Sequence, residues 1–520
     1  MWRLQRPLTL CVAGRVNYPC RTATAAGTAS SPCTTTPPLQ EVPGPRCYPV
    51  MGTLFDMIFD KDFNKDKIHI YFKKLFQKYG SVVRVKFPGQ PTMVMVHNPE
   101  DLLFILNATM HNPVRPPMES LKKARYENDY YEKKSGLVSE NGEEWARLAT
   151  VLRPKVLRPN NVSQYLARMD QVTLDFLQRY DKISTLRDTS GEVNIDFIEE
   201  LNKWSSECIC LISLNQRIGC LDPSLLAGSE PQLIVKATVD FMRALMECES
   251  GSKLWKLYPT KIYKQLRTSM EILRKKTSNV LDEIESEMEA KLKKDPSSSL
   301  TMLEQLLCQD GITRKDIITF MIDLLPGATE TVSNMAAVIL YLLAKNPQAQ
   351  IKVQEEIDQV LGDGVDVLTP KHMNQLSYVK AVVKEANRVL PPALGPVRLL
   401  QEDLRLGNFL LQKGWLVFLM NAFAGWDPAE FQKHDQFLPE RWLRHRPYGD
   451  IHPCSVIPFS FGIRMCIGRR IAEQEIYTLI ARMLHRYNVE YKHGEIDRIH
   501  KFVFSPVGPM KFTFIDRHPK

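Results

Sequence analysis

The stretch Pro458-Phe459-Ser460-Phe461-Gly462-Ile463-Arg464-Met465-Cys466-Ile467-Gly468-Arg469-Arg470 sets a phenylalanine, two glycines, an arginine and a cysteine at fixed spacing, and a helical pattern follows at once. The fixed positions read Phe459-x-x-Gly462-x-Arg464-x-Cys466-x-Gly468. Each residue type has a use if Cys466 ligates a metal held in a flat macrocycle. A ligating thiol must be a thiolate, and the start of a helix lowers a thiol pKa. Backbone N–H groups there can donate to the sulfur and tune its electron donation. Gly462 and Gly468 allow close backbone approach, Arg464 can neutralise a carboxylate on the ring, and Phe459 can cover the sulfur and exclude water. An isolated cysteine before a helix is more often a packed core residue. Five matched positions are not explained that way.

Upstream, Leu325-Pro326-Gly327-Ala328-Thr329-Glu330-Thr331 lies inside a long helical pattern. A proline there removes one ladder bond and clashes with the preceding turn, so a local distortion is expected beside Gly327. An opened groove with a hydroxyl to hold dioxygen and an acid to relay protons suits oxygen activation. Further on, Glu385-x-x-Arg388 puts two opposite charges on one helix face. Phe437-Leu438-Pro439-Glu440-Arg441-Trp442 follows, and the cysteine stretch comes after it.

In this order the motifs resemble the cytochrome P450 family over about residues 41–515. The resemblance implies a mainly α fold, an α-rich triangular prism with small sheets. It implies haem b with Cys466 as the axial thiolate, and Phe459, Gly462, Arg464 and Gly468 around it. Glu330 and Thr331 become the proton-delivery pair. Glu385, Arg388 and Arg441 become a buried charge network behind the haem, all of whose members are needed, since breaking a buried pair costs roughly 3–5 kcal/mol. Arg398, after Pro391-Pro392-Ala393-Leu394-Gly395-Pro396-Val397, reaches a propionate from a strand, and Trp145 and Arg147 begin a helix that supplies another propionate contact. The family usually has arginine four residues after that tryptophan, where this chain has Ala149; it also has Ala328 where glycine is usual, with Pro326 just before. The implied reaction joins RH, dioxygen, two electrons and two protons to give ROH and water. Met118, Met321, Leu325, Val397, Phe504 and Pro506 are the substrate-facing candidates, and their apolar character suggests a lipophilic substrate: a steroid, sterol, secosteroid or foreign compound. A haem-thiolate isomerase or dehydratase, or a non-catalytic haem or lipid carrier, are the alternatives.

The chain has 520 residues, net charge +9 and 44 % hydrophobic residues, enough for one large core. Its basic excess suits an acidic partner or an anionic membrane surface, and no aromatic-plus-basic repeat points to nucleic acid. The 11 cysteines are scattered, with no CxxC pair, which fits a reducing compartment. Residues 1–40 carry Arg3, Arg6, Arg15 and Arg21 and no acid, and Thr22 to Thr36 is rich in Ser, Thr and Ala. Such a leader resembles a mitochondrial transit peptide, leaving residues 41–520 as the monooxygenase domain. Lys380, Lys384 and Arg470 resemble the docking face of the mitochondrial branch, with Arg469 turned towards the haem. That branch takes electrons from a small acidic ferredoxin, fed by an NADPH-dependent reductase. The matrix side of the inner membrane, with peripheral contact, is the implied address.

Periodicity predicts helices over Ile68 to Tyr79, Asn98 to Asn107, Gly142 to Tyr180, Val193 to Leu214, Leu233 to Lys293, Thr313 to Ala344 and Pro347 to Leu361. Strands are expected at Val82 to Phe87, Thr92 to His97, Trp415 to Leu419 and Lys511 to Ile515. Residues 108–140, with Pro113, Pro116 and Pro117, read as a long mobile loop.

Overall fold

The long apolar pattern that begins at Thr313 becomes the buried axis of the protein. The computed structural model describes residues 39–518 apart from 62, 185–195, 252, 296, 363–364 and 501–502. The leader before residue 39, and the expected helix start at Val193, lie outside the described residues. The helices that build the site are α1 (Gly142–Val156), α2 (Phe197–Ser213), α3 (Arg314–Lys345), α4 (Ser377–Val389) and α5 (Arg469–Arg486). Thr313 starts α3 with a capping box. Its hydroxyl accepts from the Asp316 N–H at 3.2 Å, and the Asp316 carboxylate accepts from the Thr313 N–H at 2.8 Å, satisfying two donors that a helix start leaves open. The helix then packs against α2, α5 and the helices Glu230–Ser250 and Lys261–Lys294. It is long and apolar enough to cross a membrane, yet 72 % of that apolar window is buried inside the protein, as in a core helix.

Pro326 does not break α3, which is helical from Arg314 to Lys345. Its missing N–H leaves the Ile322 carbonyl without the usual ladder donor, and hydroxyl back-bonding follows beyond the proline. Thr329, Thr331 and Ser333 each donate to the carbonyl four residues earlier, at 2.9, 2.7 and 2.7 Å, bonds of a kind that bend a helix without ending it.

Alternating apolar residues form the small sheets. Strands β1 (Val82–Val85), β2 (Met93–Val96), β3 (Val397–Leu399) and β4 (Leu416–Leu419) make a four-stranded sheet in the order β1-β2-β4-β3. Only the β2–β4 pair is parallel. Arg398 faces Val417 in the register and is carried inward by β3. A hairpin of β5 (Asp497–His500) and β6 (Phe504–Val507) lies further on. The helices Ile68–Tyr79, Pro99–Ala108 and Pro347–Leu361 fall where periodicity put them, and the Asn98 carbonyl oxygen accepts from Glu100 and Asp101 as its cap. The expected long helices over Gly142 to Tyr180 and Leu233 to Lys293 are each divided by turns.

Residues 108–140 are not an open loop. They hold helices Glu119–Tyr126 and Gly136–Ser139 and the short turn Asp129–Tyr131. The cause is tertiary. Arg125, with its side chain fully buried, donates to Asp323 of α3 at 2.6 and 3.2 Å and to the Ser135 carbonyl. Ser120 donates to Glu249, and Ser135 to Glu140. Asp323→Ala leaves the Arg125 charge buried without its partner, so a cost of about 3–5 kcal/mol is expected. The check is the denaturant midpoint; a midpoint equal to that of the native chain contradicts the pinning role.

Candidate active site

Two left-handed residues, Ser460 (φ 63°) and Gly462 (φ 73°), turn the chain ahead of the cysteine. A Cβ on Gly462 would fall 2.4 Å from the sulfur at the flexible end of Met110, which could move aside, so it is the left-handed φ that favours glycine there. One on Gly468 would lie 3.9 Å from Cys466 Sγ, which keeps that side of the sulfur open. The Cys466 N–H donates to the Phe459 carbonyl at 2.9 Å and closes the loop. Cys466 has dense protein around it, yet the residue keeps accessible surface. Burial pushes its thiol up, against the Gly468 and Arg469 N–H groups and the charges of Arg115 and Arg153, which pull it down. The lowering expected at a helix start is thus outweighed by burial; a bound metal cation deprotonates such a thiol outright. Cys454, by contrast, is a packed core residue whose thiol burial pushes up to about 11.

Four guanidinium groups gather at this loop. Arg464 donates to the Glu140 carbonyl and the Asn141 side chain, each at 2.7 Å, and stacks 4.3 Å from the Trp145 ring centroid. Arg115 donates to the Arg464 carbonyl at 2.5 Å, and Arg153 to the Met465 carbonyl at 2.8 Å. Arg398 donates only to its neighbour's carbonyl, Val397, at 3.0 Å. None of the four forms an ion pair among the described residues, and the buried Nε of Arg398 and of Arg464 have no partner. Burial first, and then the other arginines, lower both groups to about 9. Surplus positive charge beside an accessible thiol fits a metal macrocycle that carries two carboxylates. Haem is such a group: Cys466 would hold its iron, and these arginines its propionates.

The structure divides the remaining expectations. Trp145 sits at this cluster as the platform for Arg464. Arg147 does not join it. It pairs with Glu144 (2.6 Å) and Asp316 (3.0 Å), because a residue two positions from Trp145 lies on another face of α1. Arg153, eight residues after Trp145, shares the tryptophan's face and was missed; an i, i+4, i+8 reading of α1 finds it. Arg115 was also missed, and nothing local marks it. On α3, Gly327 is exposed, with open space where a Cβ would be, and Thr331 is half-buried. Thr331 lines a cavity with Phe504 and Pro506, whereas Met321 and Leu325 are packed in the core. Glu330 is half-buried one residue before Thr331.

Glu385, Arg388 and Arg441 come together in one buried charge network. Glu385 accepts from Arg388 at 2.7 and 3.0 Å, Arg441 at 3.2 Å, Trp442 at 2.8 Å and the Leu438 N–H at 3.0 Å. Arg388 also donates to the carbonyls of Gly425, His434 and Gln436, which fastens the 425–442 segment to α4. On the outer side, Lys380 senses the charges of both Lys384 and Glu473. Glu473 in turn pairs with Arg469 (2.9 Å) and Arg470 (3.7 Å). The basic residues of α4 and α5 thus share one face. Arg469 also lies 5.7 Å from the Phe459 ring centroid, turned towards the cysteine loop. Glu475 went unnoticed in the sequence. It is fully buried, accepts from Ser205 at 3.3 Å, and burial pushes its carboxyl up to about 8.

A family model described as "Cytochrome P450" matches residues 42–514. Among curated proteins, the chain is 29 % identical to "Probable cytochrome P450 49a1" of Drosophila melanogaster, over 98 % of this chain and 87 % of that protein. It is 30 % identical to "Probable cytochrome P450 12a5, mitochondrial" of the same organism, over 85 % and 84 %. It is 30 % identical to "Cytochrome P450 10" of Lymnaea stagnalis, over 92 % and 86 %. Cys466→Ala is expected to abolish the red-shifted carbon monoxide band of a thiolate-ligated haem, while Cys454→Ser keeps it. A band that survives in Cys466→Ala contradicts the assignment.

Proposed function

The chain belongs to the cytochrome P450 family, monooxygenases that carry haem on a cysteine thiolate, and from that premise we propose that this one hydroxylates a lipophilic substrate in the mitochondrion with electrons from a ferredoxin. Haem, when bound, supplies the activation of dioxygen, with the thiolate pushing electron density onto it. The chain's residues do the rest. Cys466 is the ligand, and Arg115, Arg153, Arg398 and Arg464 orient the macrocycle by its carboxylates. Gly327 leaves room on α3, and Thr331 borders the cavity with its hydroxyl. That hydroxyl donates to the Gly327 carbonyl at 2.7 Å and must leave it to hold an oxygen species in the cavity. Glu330, the residue just before it, takes the role of restoring its proton in this reading. The overall change is RH, dioxygen, two electrons and two protons to ROH and water.

One observation carries the partner assignment: Lys380, Lys384, Arg469 and Arg470 form a basic face on the two helices that hold the haem's thiolate side. α4 is pinned there by the Glu385 network, and α5 begins just after Cys466. An acidic carrier docked on that face brings its electron close to the thiolate. Several relatives are named mitochondrial, and the acid-free leader supports the same address. NADPH-dependent oxygen uptake, reconstituted with ferredoxin and its reductase, tests the whole reading.

Thr331→Ala is expected to lower product formed per NADPH consumed, with peroxide released instead, because a positioned proton donor contributes about 10²–10⁴-fold. Unchanged coupling contradicts the role. Lys384→Glu and Arg470→Glu are expected to raise the KM for ferredoxin, most strongly at low salt, since rim charges act on encounter. Their haem spectra and peroxide-supported activity stay normal. Ferredoxin-driven turnover equal to the native enzyme's in both variants removes the docking face. A reporter carrying residues 1–40 is expected in mitochondria; one left in the cytosol or in the endoplasmic reticulum overturns the address.

A further inference from the structure

We propose that the cavity between α3 and the β5–β6 hairpin seats the carboxylate end of a lipophilic substrate, with Asn334 and Arg498 as its donors. The inference rests on the monooxygenase reading and adds a substrate class to it. The cavity is small, about 20 Å³, room for little more than a water-sized polar group, and it is partly open to solvent. Thr331, Asn334 and Val338 reach it from one face of α3, Pro392 follows α4, and Arg498 and Phe504 come from the hairpin. Apolar side chains make up most of its wall, so its few polar groups decide what enters.

Two of those groups call for an acceptor. Asn334 is 7 % exposed, and its buried Nδ2 has no partner among the described residues, which is costly unless a ligand supplies an oxygen. Arg498 is held by ring faces rather than by an acid: its guanidinium lies 4.3 Å from the Trp426 centroid and 5.3 Å from that of Phe504. One Nη reaches the Val389 carbonyl at 3.3 Å. Asp497, also on the wall, forms an ion pair with Lys67. Lys67, Asp497 and Arg498 together keep one positive charge in surplus. Burial lowers the Arg498 group to about 10, and Asp497 only partly restores it. A neutral acceptor would satisfy Asn334 alone; a carboxylate satisfies the amide and the surplus charge together. Thr331 borders the same cavity, so an acid held there places its chain beside the oxygen-handling hydroxyl.

The test compares dodecanoic acid with its methyl ester on the haem-loaded enzyme near neutral pH, read by equilibrium dialysis and by the optical binding shift. The acid is expected to bind at least about tenfold tighter than the ester, as hydrogen bonds to a charged group allow. Asn334→Leu is expected to cost the acid about tenfold and the ester clearly less, because the ester carbonyl accepts only a neutral hydrogen bond from the amide. Arg498→Met keeps the packed stem between the rings and is expected to erase the preference; if that variant does not fold, Asn334→Leu decides. Equal binding of acid and ester by the native enzyme overturns the proposal, as does a preference that survives the substitutions. Turnover of the ester with no acid preference removes this subsite and keeps the monooxygenase reading. An acid preference with no NADPH-dependent product does the reverse.

Discussion

Uncompensated positive charge around Cys466 is the constraint on which the rest of the structure depends. Arg115, Arg153, Arg398 and Arg464 converge with no ion pair among the described residues to offset them. Left alone, such a cluster repels itself and sheds its solvation, which is why burial lowers these groups. It persists because each guanidinium is held separately, by a carbonyl, an amide oxygen or the Trp145 face. An anion with two carboxylates, such as the propionates of haem, would make the cluster favourable.

The scaffold can be read as the means of holding that arrangement. The Glu385 network ties α4 to the 425–442 segment through charges buried on both sides, and so fixes the platform that leads into the cysteine loop. A buried pair of this kind is weak evidence for stability but strong evidence for a fixed geometry, since any one missing partner leaves a bare charge inside. Arg125 and Asp323 repeat the device on α3 itself, pinning the 119–139 segment to the buried axis. Glu475 shows the other solution: a carboxyl packed between α2 and α5 accepts from Ser205, and burial pushes it up to about 8.

What was legible in the sequence was local. The cysteine loop, the Glu385 and Arg388 pair, the Thr313 cap and the long periodic helices each depend on residues a few positions apart, where spacing fixes geometry. What depends on distant partners could not be read. Arg115 joins the cluster from a proline-rich segment with no period, and residues 108–140 fold because Asp323, about two hundred positions on, supplies the charge that Arg125 needs. Arg147 was expected at the cofactor from its nearness to Trp145, but two residues along a helix turn a side chain to another face. Arg153 sits on the right face, one turn beyond Ala149, where the family usually keeps its arginine. Pro326 lies within a helix that is continuous from Arg314 to Lys345, with Thr329, Thr331 and Ser333 back-bonding beyond it.

The central claim is that the arginines select the cofactor by its two carboxylates. The most direct measurement is the affinity of the cofactor-stripped protein for haem and for haem dimethyl ester, whose ring and iron are the same but whose carboxylates are masked. Each propionate engages charged donors, and such hydrogen bonds contribute about 1.5–3 kcal/mol apiece. The account predicts that the ester binds more than about 100-fold more weakly than haem. Equal affinity for the two would contradict it.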